Sequence, residues 1–152
     1  MTGLGAVSAD PYPFRSGIGA FISLALNYYD APEMWPQAKK MLDQYLSIRR
    51  LFSKDFYPLS PYSLEKDTWI GWQYHDPASG EGLVQVFRRE DCADTHFTAV
   101  LHGLDAEAVY AVADMDAEGS TEVSGAALMN EGYGVEAPVA PAAVLLHYGR
   151  VR

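Results

Sequence analysis

Between Thr68 and Tyr148 the sequence breaks into short strand-like runs divided by turn signals, and this punctuation limits the fold more than any other feature. Thr68–Tyr74, Leu83–Arg88, Thr95–Leu101, Val109–Ala113 and Ala142–Tyr148 supply the runs. The stretches between them, HDPASGEG, REDCAD, HGLDAEA, DMDAEGS and EAPVAP, hold the Gly, Pro, Asp and Ser residues that turns need. Glu118–Val123 and Tyr133–Glu136 read as two weaker strands. SGAALMNEG between them reads as one helical turn, capped by Ser124 and stopped by Gly132. Strands at roughly ten-residue spacing, with no long helices between them, argue for antiparallel pairing. The expectation is a mainly β fold, a Greek-key antiparallel β-sandwich of about seven or eight strands over residues 67–152, preceded by one or two α-helices.

Upstream the period changes. From Glu33 to Phe52, the residues Met34, Ala38, Met41, Leu42, Tyr45, Ile48 and Phe52 recur at spacings of three and four and form one apolar stripe. Gln37, Lys40, Gln44, Ser47 and Arg50 fall opposite. Pro32 suits the helix start, and Arg49, Arg50 and Lys54 suit the negative end of the helix dipole. Before it, Pro11 and Pro13 are expected to bar a helix start ahead of Phe14, with helix continuing beyond Ser16 until Asp30 and Pro32 reset the chain. The organisation expected is a flexible leader at 1–13 and a helical segment at 14–54. A linker at 55–66 follows, held extended by Pro58 and Pro61 and packed through its tyrosines.

With 49% hydrophobic and 20% charged residues, the chain can bury a real core. Its net charge of −9 repels phosphate backbones, so no nucleic-acid partner is expected. Cys92 is the only cysteine, which rules out an intramolecular disulfide and favours a cytoplasmic location. The opening MTGLGAVSAD has no basic n-region, and the longest apolar stretch, Ile18–Leu26, is about half a membrane span. A soluble protein without a membrane partner is expected.

Three local patterns bear on function. Gly103-Leu104-Asp105 followed by Tyr110 matches the corner in which a tyrosine near a strand start bonds back to the preceding loop, with Asp105 forming an Asx turn and Leu104 plugging the sandwich end. Trp69, Trp72, Gln73 and His75 carry the residue types that stack on sugar rings and take their hydroxyls. The competing reading is alternation, with Ile70, Trp72 and Tyr74 filling the core and Trp69 covered by helix or linker. His75, His96, His102 and His147 lack zinc-ligand spacing, and Asp114, Asp116 and Glu118 lack the glycine and distal glutamate of a calcium loop. No nucleotide loop or nucleophile elbow is present, so no cofactor, metal or catalytic residue is expected.

Taken together, DPYPFRS, SIRRLFSKDFYPLSPYS, WIGWQYHDPASGEGLVQVFRRE and LHGLDAEAVYAVADMD resemble the C-terminal end of α-galactosidase-type glycoside hydrolases, of the family 36 type. The resemblance runs from Asp10 to Tyr148 and implies the last helix of a (β/α)8 barrel followed by its β-sandwich. The paired catalytic aspartates of that family lie on barrel strands, and no residue here matches them. The resemblance puts Asp10–Arg15 near the end of the final barrel strand, which makes Arg15 and Tyr12 substrate-side candidates. It therefore implies a non-catalytic accessory or interaction module with some carbohydrate contact; the other class open to the chain is a small enzyme with its site in a homodimer cleft. A helix shaped for an absent barrel exposes its stripe. Phe21, Leu24, Tyr28, Met34, Met41 and Tyr45 are accordingly expected to fold back on the sandwich, or to meet a second copy in a two-fold dimer or the missing barrel domain.

Overall fold

The computed structural model describes residues 3–4, 10–24 and 32–151. In chain order the elements are β1 (Gly3–Leu4), α1 (Pro11–Gly17), β2 (Ser23–Leu24), α2 (Trp35–Ile48), β3 (Asp55–Pro58), β4 (Trp69–Asp76), β5 (Glu81–Arg88), β6 (His96–Ala99), β7 (Val109–Asp114), β8 (Thr121–Ser124), α3 (Gly125–Asn130), β9 (Tyr133–Glu136) and β10 (Ala142–Arg150). Six strands form one antiparallel sheet in the order β3-β4-β5-β10-β7-β8, and β6 pairs with β9 in a second sheet. The last strand is therefore central: β10 lies between β5, in register from Ala142↔Arg88 to Gly149↔Glu81, and β7. The expected antiparallel β-sandwich with preceding helices is what the chain forms.

The large sheet is covered on both faces. On one, Val84, Val86, Leu146 and Tyr148 meet Ala99 and Val135 of the small sheet and Leu128 of α3. On the other, Leu83 and Leu145 meet Phe14 and Ile18 of the α1 region and Met41, Tyr45 and Ile48 of α2. This double cover explains why β5 is buried from Gly82 to Arg88 without alternation.

The corner forms as the sequence suggests. The Asp105 N–H donates to the Tyr110 hydroxyl at 3.0 Å, the Asp105 carboxylate accepts from the Glu107 N–H at 3.1 Å, and Leu104 is buried. Gly103 turns the chain with φ +74°, a conformation side chains disfavour. Ser124 caps α3 through the Ala127 N–H at 3.2 Å.

Two expectations about the first helix are corrected. Pro11 and Pro13 do not bar it; they begin it. A first-turn N–H has no intrahelical partner to lose, and the Asp10 carboxylate accepts from the Tyr12 N–H at 2.9 Å. Nor does the helix run on towards Asp30 as expected: it ends at Gly17, Ile18 is extended, and β2 pairs in parallel with β1. Glycines at 17 and 19 weaken helix there. Around α2 the ends tighten into 3-10 turns at Pro32–Met34 and Arg49–Ser53. The stretch read as linker opens with the edge strand β3. Among the stripe residues, Met41 and Tyr45 are buried against the sheet, Met34 is half-buried, and Phe21 is 84% exposed. Leu24 lies in β2, and Tyr28, like most of residues 1–9, falls outside the described residues.

Candidate functional site

Strand alternation in β4 sorts the sugar-type residues onto opposite faces. Trp69, Gln73 and His75 point into the sandwich core, whereas Ile70, Trp72 and Tyr74 share the face that carries the helices. The alternation reading had Trp69 under helix or linker; instead it stacks on Phe97 (centroids 5.5 Å apart) inside the sandwich and donates to the Asp94 carbonyl at 2.9 Å. Gln73 is fully enclosed: its amide nitrogen donates to the His102 carbonyl (2.9 Å) and the Tyr148 hydroxyl (2.7 Å), and its oxygen accepts from the His102 N–H (2.8 Å). The His75 ring meets the same hydroxyl at 3.0 Å. Burial pushes the His75 imidazole below its ordinary pKa, opposed by the nearby Asp55 and Asp76 carboxylates, and pushes the Tyr148 phenol up.

Arg15 is also internal, with 2% of its side chain exposed. Its guanidinium donates to the Ala143 carbonyl (2.8 Å) and the Gln44 side chain (3.0 Å) and pairs with Asp116 (2.7 Å). Asp116 also meets Lys40 at 3.2 Å and accepts from Gln44 at 3.1 Å. Burial acts to raise the Asp116 carboxyl, but the bonds from Arg15 and Gln44 outweigh it and hold the group at about 2. The acidic turn after β7 thus serves as the counter-charge that fastens α1 and α2 to the sheet.

Of the five sugar-type candidates, only Trp72 keeps surface to offer. It is half-buried in the floor of a groove of about 450 Å³. Ile70 lies beside it in β4, and Phe56 and Pro58 of β3, the segment from Ser60 to Leu64 and Arg89 complete the lining. Phe56 is 53% exposed, Tyr62 87% and Leu64 73%. The polar groups in the lining are turned inward. Ser60 accepts from the Gly71 N–H at 3.0 Å, and Arg89 donates to the Ser63 carbonyl at 3.1 Å and to the Glu65 carbonyl. Among the described residues no carboxylate lines the groove. Sequence reasoning missed Phe56, Leu64 and Arg89; the available signal was the cluster of aromatic and apolar residues in a proline-rich segment.

Past Arg89 the surface becomes charged, with Asp10, Tyr12, Lys66 and Glu90 around a second cleft. Burial raises the Tyr12 phenol, Arg89 opposing it, and the Lys66–Glu90 pair raises the amine and lowers the carboxyl. Among the described residues no three His, Cys, Asp or Glu side chains are grouped to hold a metal ion, and no helix is long and apolar enough to cross a membrane.

The fold defines a class: an antiparallel β-sandwich with a helical layer on its outer face. The chain belongs to the glycosyl hydrolase family 36 C-terminal domain family, whose model matches residues 69–146. Its fold resembles that of the GH36 α-galactosidase AgaA from Geobacillus stearothermophilus, with 18% identity, a TM-score of 0.74 and coverage of 97% of this chain and 20% of that one. The α-galactosidase from Lactobacillus brevis gives 20% identity, a TM-score of 0.69 and coverage of 86% and 18%. The galactosidase domain of the α-galactosidase-sucrose kinase AgaSK gives 20%, 0.70, and 86% and 18%. The chain thus spans only 18–20% of the length of these structures. No match was found among curated proteins.

Proposed function

We propose that this chain is a non-catalytic module that seats against the catalytic domain of an α-galactosidase-type glycoside hydrolase, using its helical face and the groove beside it. The observation that carries this reading is the groove: Phe56, Tyr62 and Leu64 stand in water around a floor of Ile70 and Trp72. A contiguous apolar patch of this kind marks a protein contact. A sugar site needs free polar partners beside its aromatic ring, and here Ser60 and Arg89 are already engaged with the chain's own backbone. The lining therefore favours an apolar protein partner over carbohydrate, with any sugar contact confined to Trp72.

The test is co-migration with a family 36 catalytic domain from the same genome, prepared without its own C-terminal domain. A stable complex that Phe56→Ser and Leu64→Ser dissolve is the expected result. Failure to associate, or association indifferent to both substitutions, overturns the reading. Sedimentation of the chain alone covers the homodimer: self-association lost in the same two variants would give the face to a second copy instead.

A further inference from the structure

Two routes lead from the groove floor to α1. In the first, the Trp72 indole N–H donates to the Gln85 side-chain oxygen at 2.8 Å, and the Gln85 side-chain nitrogen donates to the Arg15 main-chain carbonyl at 3.0 Å. The orientation of this amide is forced, because an indole N–H can only donate and a carbonyl can only accept. Gln85 is fully buried, so neither half of its amide can turn to water. In the second route, the Trp72 ring lies 5.2 Å from Phe87, and Phe87 meets Tyr12 edge-on at 5.6 Å.

Both routes end on a seven-residue helix. A helix of that length does not persist alone, so its place depends on what it touches. Beyond α1, the Arg15 guanidinium carries the connection to Gln44 of α2 and to Asp116.

We propose that the groove and α1 are coupled through Gln85, which acts as a positioning residue for α1. Removing the Trp72 donor strands the Gln85 oxygen in the core, and any rotation that relieves it breaks the bond to Arg15. A partner pressing on Trp72 accordingly changes how firmly Pro11–Gly17 is held. The coupling is a property of this chain alone, so it can stand or fall separately from the docking reading.

Hydrogen exchange on the intact chain tests it, comparing the parent with Trp72→Phe, Gln85→Leu and Leu64→Ser. Trp72→Phe keeps a ring against Phe87 and is expected to speed exchange in residues 14–17 about fivefold, leaving α3 and β9 unchanged. Gln85→Leu should exceed it. Leu64→Ser, in the groove but off both routes, should leave α1 at the parent rate. If Gln85→Leu does not fold, Trp72→Phe carries the test. Parent-rate exchange in α1 of Trp72→Phe overturns the coupling, as does acceleration spread equally over α1, α3 and β9.

Discussion

The two faces of the six-stranded sheet are finished to different degrees. On the sandwich face, Val84, Val86, Leu146 and Tyr148 lie under α3 and the β6–β9 sheet, and the polar groups among them, Gln73, His75 and the Tyr148 hydroxyl, are bonded to one another. On the helical face, α1 and α2 cover Leu83 and Leu145 but leave Phe56, Ile70 and Trp72 bordering an open groove. Aromatic residues are buried on both faces, as Tyr148 and Tyr45 show, and among the described residues only the groove beside the helices leaves an aromatic cluster open to a partner. Trp69 and Trp72, only three residues apart, fall on opposite sides of that division.

The contrast can be broken or sharpened by substitution. The largest effect is expected from Gly125→Ala on the sandwich face, where an added Cβ would lie 2.0 Å from the Asp105 carbonyl oxygen, beside the tyrosine corner. A loss of about 3 kcal/mol, or about 10 °C in Tm, is expected in thermal unfolding. Tyr110→Phe, which leaves the Asp105 N–H without its partner, should cost about 1–2 kcal/mol by urea denaturation.

Acid comes next in size and acts on both faces. Burial lowers the pKa of His75 on the sandwich face and of His147 on the helical face. The unfolded chain therefore binds more protons than the native one below about pH 6.5. Stability is complete above that pH and declines as pH falls through the native values, so the urea midpoint should drop between pH 8 and 5. Asp116 gives a separate loss at lower pH, as its carboxyl takes up a proton on the way from about 4 to 2. The smallest effect on folding is expected from Tyr62→Ser and Leu64→Ser in the groove, within about 0.5 kcal/mol of the parent. A larger destabilisation in either would mean that the groove is part of the core.

What the sequence revealed followed the range of the interactions. The corner was legible because Asp105 and Tyr110 are neighbours in sequence, and the α2 stripe because its period is set within a few turns of helix. The face of β4 was not, since alternation separates Trp69 from Trp72 without saying which layer lies above each. The start of α1 is not legible either, because prolines that break a helix interior are tolerated in its first turn. In the sequence Arg15 and Asp116 stand far apart, one a substrate-side candidate and the other in an acidic turn without calcium-loop spacing. Only the folding of β7 and β10 beside α1 brings them together as an ion pair.

Hydroxyl-radical footprinting of the chain, free and mixed with a family 36 catalytic domain, tests the seating of the groove on a partner most directly. Phe56, Tyr62 and Trp72 report on the groove, and the half-buried Phe97 and Tyr133 report on the sandwich side. Protection of the first three and no change in the other two is expected. Protection of Phe97 and Tyr133 with the groove still reactive would contradict that seating.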